Sequence, residues 1–185
     1  MKKCTILFLV FFSTLMIAQE NQKEEYPQDF NKKHEIKLNA FSLIVFSSLD
    51  VSYEKLINKD TSYGVSVFYN FNDIDNDFYF PKKISITPFY RWFFSETRFA
   101  RGFFVEGFGM LNHYEERNYS FSSSKIESET DFALGVSVGG KFIIKSGFTA
   151  EVLLGIGRNM FNNDANSFFD NSIISRGGIS LGYRF

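Results

Sequence analysis

From His34 onward apolar and polar side chains alternate with period two, in segments of about 10 residues each. Eight segments read this way as strands: 35–46, 48–57, 62–71, 83–94, 101–112, 130–143, 147–158 and 175–185. In the third, Tyr63, Val65, Val67, Tyr69 and Phe71 share one face and Gly64, Ser66, Phe68 and Asn70 the other. The fourth sets Ile84, Ile86, Pro88, Tyr90 and Trp92 against Ser85, Thr87, Phe89, Arg91 and Phe93. The sixth, seventh and eighth repeat the division, and the first, second and fifth keep its sense with more noise.

Charge falls on the less apolar face. Lys37, Arg91, Lys141 and Arg184 share it with Asp50, Glu54, Glu106 and Glu151, a neutral set able to pair inside a narrow barrel. Turned toward hydrocarbon, each cation would cost roughly 2–4 kcal/mol at the membrane midplane, so parity has an energetic reason. A soluble eight-stranded barrel of the lipocalin type is the competing arrangement. Its outer surface would then consist mostly of Ser, Gly and Thr, too poor in charge for a long sheet in water. The pattern therefore predicts an all-β, eight-stranded antiparallel up-and-down transmembrane β-barrel over residues 34–185, since lipid tolerates no open sheet edge.

Connection lengths agree with this. The even-to-odd links, Asn58 to Thr61, Ser95 to Ala100 and Lys145 to Ser146, are short, as periplasmic turns are. The opposite links, Asn72 to Lys82, His113 to Glu129 and Asn159 to Ile174, are long, and the one around Ser47 is tight. Near the short turns the apolar face carries Tyr53, Tyr63, Trp92, Phe103, Phe142, Phe148, Tyr183 and Phe185, the girdle expected at a membrane–water boundary.

The start of the chain reads differently. Lys2 and Lys3 precede an apolar run from Ile6 to Ala18, about 13 residues against the roughly 20 of a spanning helix, and residues 1–18 are read as a signal peptide. Cys4 lies ahead of that run, which argues against lipidation, and its removal leaves an exported chain without cysteine. Residues 19–33, polar and holding Pro27, read as a flexible lead-in. Composition supports strands: 25 Phe and 9 Tyr, with 13 Gly and 3 Pro. Less Lys2 and Lys3, 18 basic residues face 21 acidic ones, a net charge of about −3 that gives no reason to expect a nucleic-acid partner.

With the segment Ile179-Ser180-Leu181-Gly182-Tyr183-Arg184-Phe185 in view, the chain resembles the small eight-stranded outer-membrane proteins of the OmpX and OmpA-barrel type of Gram-negative bacteria. The resemblance covers the whole mature chain, residues 19–185, and rests on pattern, with that C-terminal strand as its one specific local feature. It implies that Leu181, Tyr183 and Phe185 form the signal read by the barrel-assembly machinery. Leu49 to Leu56 and Pro88-Phe89-Tyr90-Arg91-Trp92 are similar to poorly characterised exported barrels, for which no activity is implied. A peptidoglycan-binding domain of the kind that follows OmpA-type barrels is not found.

Candidate chemistry is sparse. His113, with Glu115, Glu116 and the serines at 120 and 122–124, resembles in outline a lipid A-modifying hydrolase of the barrel type, but the serines are separated from the histidine. Asn72-Asp73-Ile74-Asp75-Asn76-Asp77 and Asn162-Asn163-Asp164 are oxygen-rich without the Gly and closing Glu of a calcium loop. Paired glycines such as Gly139-Gly140 lead into no helix and are not phosphate loops. The expectation is a non-enzymatic envelope barrel needing no cofactor, with a side-chain-filled lumen and a structural or adhesive role. Its expected partners are outer-membrane lipid and lipopolysaccharide, the assembly machinery during insertion, and a surface ligand at the external loops. Those loops carry Tyr79, Phe80, Tyr119, Phe121, Phe161, Phe168 and Phe169. A lipid A hydrolase and a narrow channel are the alternatives. Parity sends Arg184 into the lumen toward Asp50, Glu54, Glu106 or Glu151.

Overall fold

A computed structural model describes residues 31–71, 82–95, 99–120, 123–144, 146–161 and 173–185, with backbone alone at 116–120 and 123–127. Residues 1–18, most of 19–33 and both oxygen-rich runs lie outside the described residues. The strands are β1 (His34–Asn39), β2 (Ser48–Leu56), β3 (Thr61–Asn70), β4 (Lys82–Phe93), β5 (Gly102–Ser120), β6 (Ser123–Ile143), β7 (Phe148–Asn159) and β8 (Ile173–Arg184), with a short helix α1 (Ala40–Phe46) after β1. Each strand pairs antiparallel with the next, and β1 pairs with β8, closing the barrel. At that seam Glu35 stands opposite Arg184 and Asn39 opposite Ser180.

The alternation that defines the strands also decides the two surfaces. Val65, Val67, Ile86, Leu134, Val136, Val138, Leu154, Ile156 and Leu181 are exposed on the outside, while Glu54, Arg91, Glu106, Lys141 and Arg184 are buried within. Tyr53, Tyr63, Trp92, Phe103, Phe142, Phe148, Tyr183 and Phe185 are all exposed at the end that holds β1's start and β8's finish. There His34 stacks on Tyr53 and Phe185, and Phe148 meets Tyr183 edge-on at 5.3 Å. An apolar belt of this extent in water would mark an aggregation surface; in lipid it is the solvated face.

The lumen is layered. Leu56, Phe93, Ala100, Phe104 and Leu153 form one apolar cluster toward the chain-end side, and Phe89, Phe108, Met110, Ala133 and Ile174 form another farther along. Rings of this size fit because glycine faces them. A Cβ on Gly139 would lie 2.4 Å from Phe104 Cζ, and one on Gly135 would lie 2.3 Å from Phe108 Cζ.

The β2–β3 turn shows how a short link is made. Asn58 Oδ1 accepts from the amides of Asp60 and Thr61 at 2.8 Å each and from the Thr61 hydroxyl at 2.9 Å. A side-chain acceptor that replaces a backbone turn bond is the usual reason Asn occupies such positions.

Two elements depart from the alternation. The first predicted strand, 35–46, stops at Asn39. Its remainder, Ala40–Phe46, is nearly continuous in apolar residues and cannot divide between two faces, and it coils into α1. The Asn39 side chain caps this helix by accepting from Ser42 N at 3.2 Å, and Ser47 closes it in the left-handed region at φ 48°. The predicted loop from His113 to Glu129 is instead mostly sheet: β5 and β6 continue to Ser120 and Ser123, paired from Glu115–Ser128 outward. The residues there are mostly polar and do not alternate, so hydropathy gave no sign of the pairing.

Candidate functional site

Inward-facing positions on seven strands bring one charge cluster to the middle of the lumen. Lys37 on β1 contacts Glu54 at 2.6 Å and Glu151 at 2.8 Å. Arg91 on β4 reaches Glu54 at 2.8 Å, Glu106 at 2.7 Å and Glu151 at 2.7 Å. Lys141 on β6 contacts Glu54 at 2.7 Å, Glu35 at 3.2 Å and Glu151 at 3.7 Å. Arg176 on β8 pairs with Glu106. The side chains of Lys37, Arg91, Lys141, Glu54, Glu106 and Glu151 are at most 2% exposed.

Aromatic layers close this cluster from both sides. The Arg91 guanidinium lies 4.5 Å from the Phe89 ring centre and 4.4 Å from that of Phe104. Lys141 lies 5.1 Å from the Phe93 ring and Lys37 5.7 Å from the Phe89 ring. A planar cation between two ring faces gains quadrupole attraction while its edge donates to carboxylates. With water excluded, these pairs are strong only because each charge has several partners; removing one member would leave the others uncompensated.

Seven of the eight predicted lumen charges are buried in the interior, and six of them, Lys37, Glu54, Arg91, Glu106, Lys141 and Glu151, meet in the central cluster. Asp50 is set apart, accepting from Asn39 Nδ2 at 3.0 Å and from Ser66 Oγ at 2.5 Å. Arg184 does not reach Asp50, Glu54, Glu106 or Glu151. Its Nε bonds Glu35 at 3.2 Å, and its terminal nitrogens donate to the carbonyls of Phe99 at 3.1 Å and Ala100 at 2.8 Å. The β1–β8 register makes Glu35 its direct neighbour, and that register is a property of barrel closure rather than of either strand. Glu35 and Arg176 are members the sequence reading missed. Parity contained the signal for both, since Glu35 alternates with Lys37 and Arg176 with Arg184.

Glu35, Glu54 and Glu151 bring carboxylate oxygens within 4.8 Å of one another, a spacing compatible with a cation. Lys37, Arg91 and Lys141 already occupy the space among them. The cluster is thus a self-neutralising plug, and at this level the lumen is occupied by side chains, as expected of a barrel of eight strands.

The other candidates lie apart. His113 Nδ1 is 2.9 Å from Thr130 Oγ1, its cross-strand neighbour. Ser120 stands seven residues farther along the same strand, about 23 Å at the usual strand rise. His34 Nδ1 is 2.5 Å from the Tyr53 hydroxyl. Leu181, Tyr183 and Phe185 point outward on β8 and just beyond it. Of the loop aromatics, Phe161 is exposed beside Phe132; Tyr119 is described by its backbone only, and Tyr79, Phe80, Phe121, Phe168 and Phe169 lie outside the described residues.

Comparison with known proteins agrees with this architecture. The structure is similar to the crystal structure of the N-terminal β-barrel domain of OprF from Pseudomonas aeruginosa, with a TM-score of 0.51 and 14% identity, covering 83% of this chain and 98% of that one. At that identity the likeness bears on fold alone, and the fold is a closed antiparallel β-barrel. No curated protein matches the chain. A family model described as "Protein of unknown function (DUF3575)" matches residues 5–173, and the chain belongs to that family.

Proposed function

We propose that this chain is an integral outer-membrane barrel with a non-enzymatic, structural or adhesive role in the cell envelope. The observation that carries the reading is the inverted distribution of polarity: aliphatic and aromatic side chains cover the outside while the lumen holds a dry ion-pair cluster. Such a molecule is stable only where its outer face meets lipid. Outer-membrane lipid and lipopolysaccharide are its surroundings, and the barrel-assembly machinery reads Leu181, Tyr183 and Phe185. The β5–β6 extension beyond the belt, with the neighbouring connections, is the part offered to a surface partner.

The plug argues against a channel, because Arg91 and its three carboxylates close the lumen at mid-height. The distance from His113 to Ser120 argues against a lipid A hydrolase, whose nucleophile needs its base within hydrogen-bond reach. Membrane fractionation followed by gel migration with and without boiling tests the central reading. A band in the outer-membrane fraction that shifts on heating is the expected result, and a chain recovered soluble from the periplasm overturns it.

A further inference from the structure

The lumen is not filled throughout. Farther from the chain ends than the charge cluster lies a cavity of about 420 Å³, bordered by Asp50, Phe68, Lys82, Met110, Leu153 and Arg176. That volume lies within the roughly 300–1,000 Å³ of small-molecule sites. The surface is mostly apolar; its charged groups are Asp50, Lys82 and Arg176, and hydroxyls of Ser42, Ser66, Ser85, Thr87 and Ser175 also border it.

The barrel wall beside this cavity is interrupted. β1 ends at Asn39 opposite Ser180, whereas β8 continues back to Ile173. Ile173–Ile179 therefore have no β1 partner, and α1 packs between β8 and β2 in place of a strand. The cavity reaches this gap: α1 contributes Phe41 and Phe46 to it, β8 contributes Gly177 and Gly178, and the outward-facing Leu154 and Ile179 border it too. Residues of α1 and β8 meet in this cavity where β8 has no β1 partner. Gly178 helps make the gap, since at φ 144° it leaves room for the Asn39 side chain, whose Oδ1 would lie 2.4 Å from a Cβ there. Helix α1 itself shows an apolar surface outward, with Ile44 80% exposed beside Leu43 and Val45.

The charge around the cavity has a sign. Among the described residues that border it, Lys82 and Arg176 are cations and Asp50 is a carboxylate. Arg176 is the most accessible cation of the cluster, its side chain 11% exposed, and it borders the cavity.

We propose that this cavity binds one long-chain carboxylate, admitted sideways from the membrane between α1 and β8, its head toward Arg176 and Lys82 and its alkyl chain along Phe68, Met110 and Phe41. The proposal rests on the membrane-spanning reading above. Its test is titration of the folded full chain in detergent with the fluorescent fatty acid cis-parinaric acid, competed by oleic acid or oleyl alcohol. Saturable binding of one probe per chain is expected, displaced at least tenfold better by the acid than by the alcohol. Thr87→Phe, which fills the cavity, should weaken binding at least tenfold, and Lys82→Gln, which fills nothing, should narrow the gap between acid and alcohol. Mass spectrometry of lipid carried by the protein out of the membrane should find free fatty acid. Equal displacement by acid and alcohol, unchanged binding by Thr87→Phe, or phospholipid in place of fatty acid overturns the proposal. Heat-modifiable migration of each variant is read alongside. A barrel that inserts and shifts but binds nothing overturns the ligand and leaves the membrane reading standing.

Discussion

Arg91 on β4 and Glu106 on β5 are directly paired across two strands, with Nε 2.7 Å from Oε2 and the guanidinium held between the Phe89 and Phe104 rings. The pair sits at the centre of the lumen, where Glu54 and Glu151 share the same cation. One side chain thus neutralises carboxylates from three other strands, and the cluster links distant parts of the barrel wall.

Replacing Arg91 by Leu leaves three carboxylates short of a partner. Loss of one member of a buried ion-paired group costs about 3–5 kcal/mol. Urea unfolding of the protein in phospholipid vesicles should show a loss of that size for Arg91→Leu. Asp50→Asn, at a site bonded to Asn39 and Ser66 outside the central cluster, should lose less than half as much.

Glu35 and Arg184 close the β1–β8 seam, and their energies should not add. In a double-mutant cycle with Glu35→Gln and Arg184→Gln, a coupling of about 0.5–3 kcal/mol is expected, as for residues in contact. Cycling Arg184 against Glu106, which it does not contact, should give a coupling near zero.

Parity predicts different outcomes for neighbouring residues. Val138→Arg places a cation on the lipid face and should cost roughly 2–4 kcal/mol if that position lies near the midplane. Glu115→Arg, on the polar extension beyond β4's last pair with β5, should change stability little. Equal costs at the two sites would show that the outer face of β6 does not meet lipid.

Gly139 holds space for a ring. Gly139→Ala places a methyl group against Phe104 Cζ and the Val152 carbonyl, and overpacking of this kind costs about 1–3 kcal/mol. Gly107→Ala, where a Cβ meets nothing within 4 Å, is the control and should unfold with the wild type.

Asn39 joins the helix to the wall by capping α1 and by donating to Asp50 and to the Gly177 carbonyl. Asn39→Ala should remove about 1 kcal/mol through the lost cap. Limited proteolysis should then cut near α1 sooner than in the wild type, while the remaining strands stay protected.

The sequence alone determined which residues face outward and which face the lumen. Side-chain direction reverses at every strand residue whatever its neighbours do, so parity can be read one strand at a time. It likewise determined the number of strands, because alternation is local, but not the length of the link after β5, which reads as long and lies between Ser120 and Ser123. Partner choice was decided only in the closed barrel. Arg184 meets Glu35, and Arg91 gathers Glu54, Glu106 and Glu151, through register and closure, which join residues up to 149 positions apart. Tertiary structure also decided the fate of 40–46: an apolar run there fits a strand or a helix, and the Asn39 cap and the open edges of β8 and β2 selected the helix. For the same reason the opening in the wall could not be read from hydropathy, since it exists only where one strand ends before its neighbour.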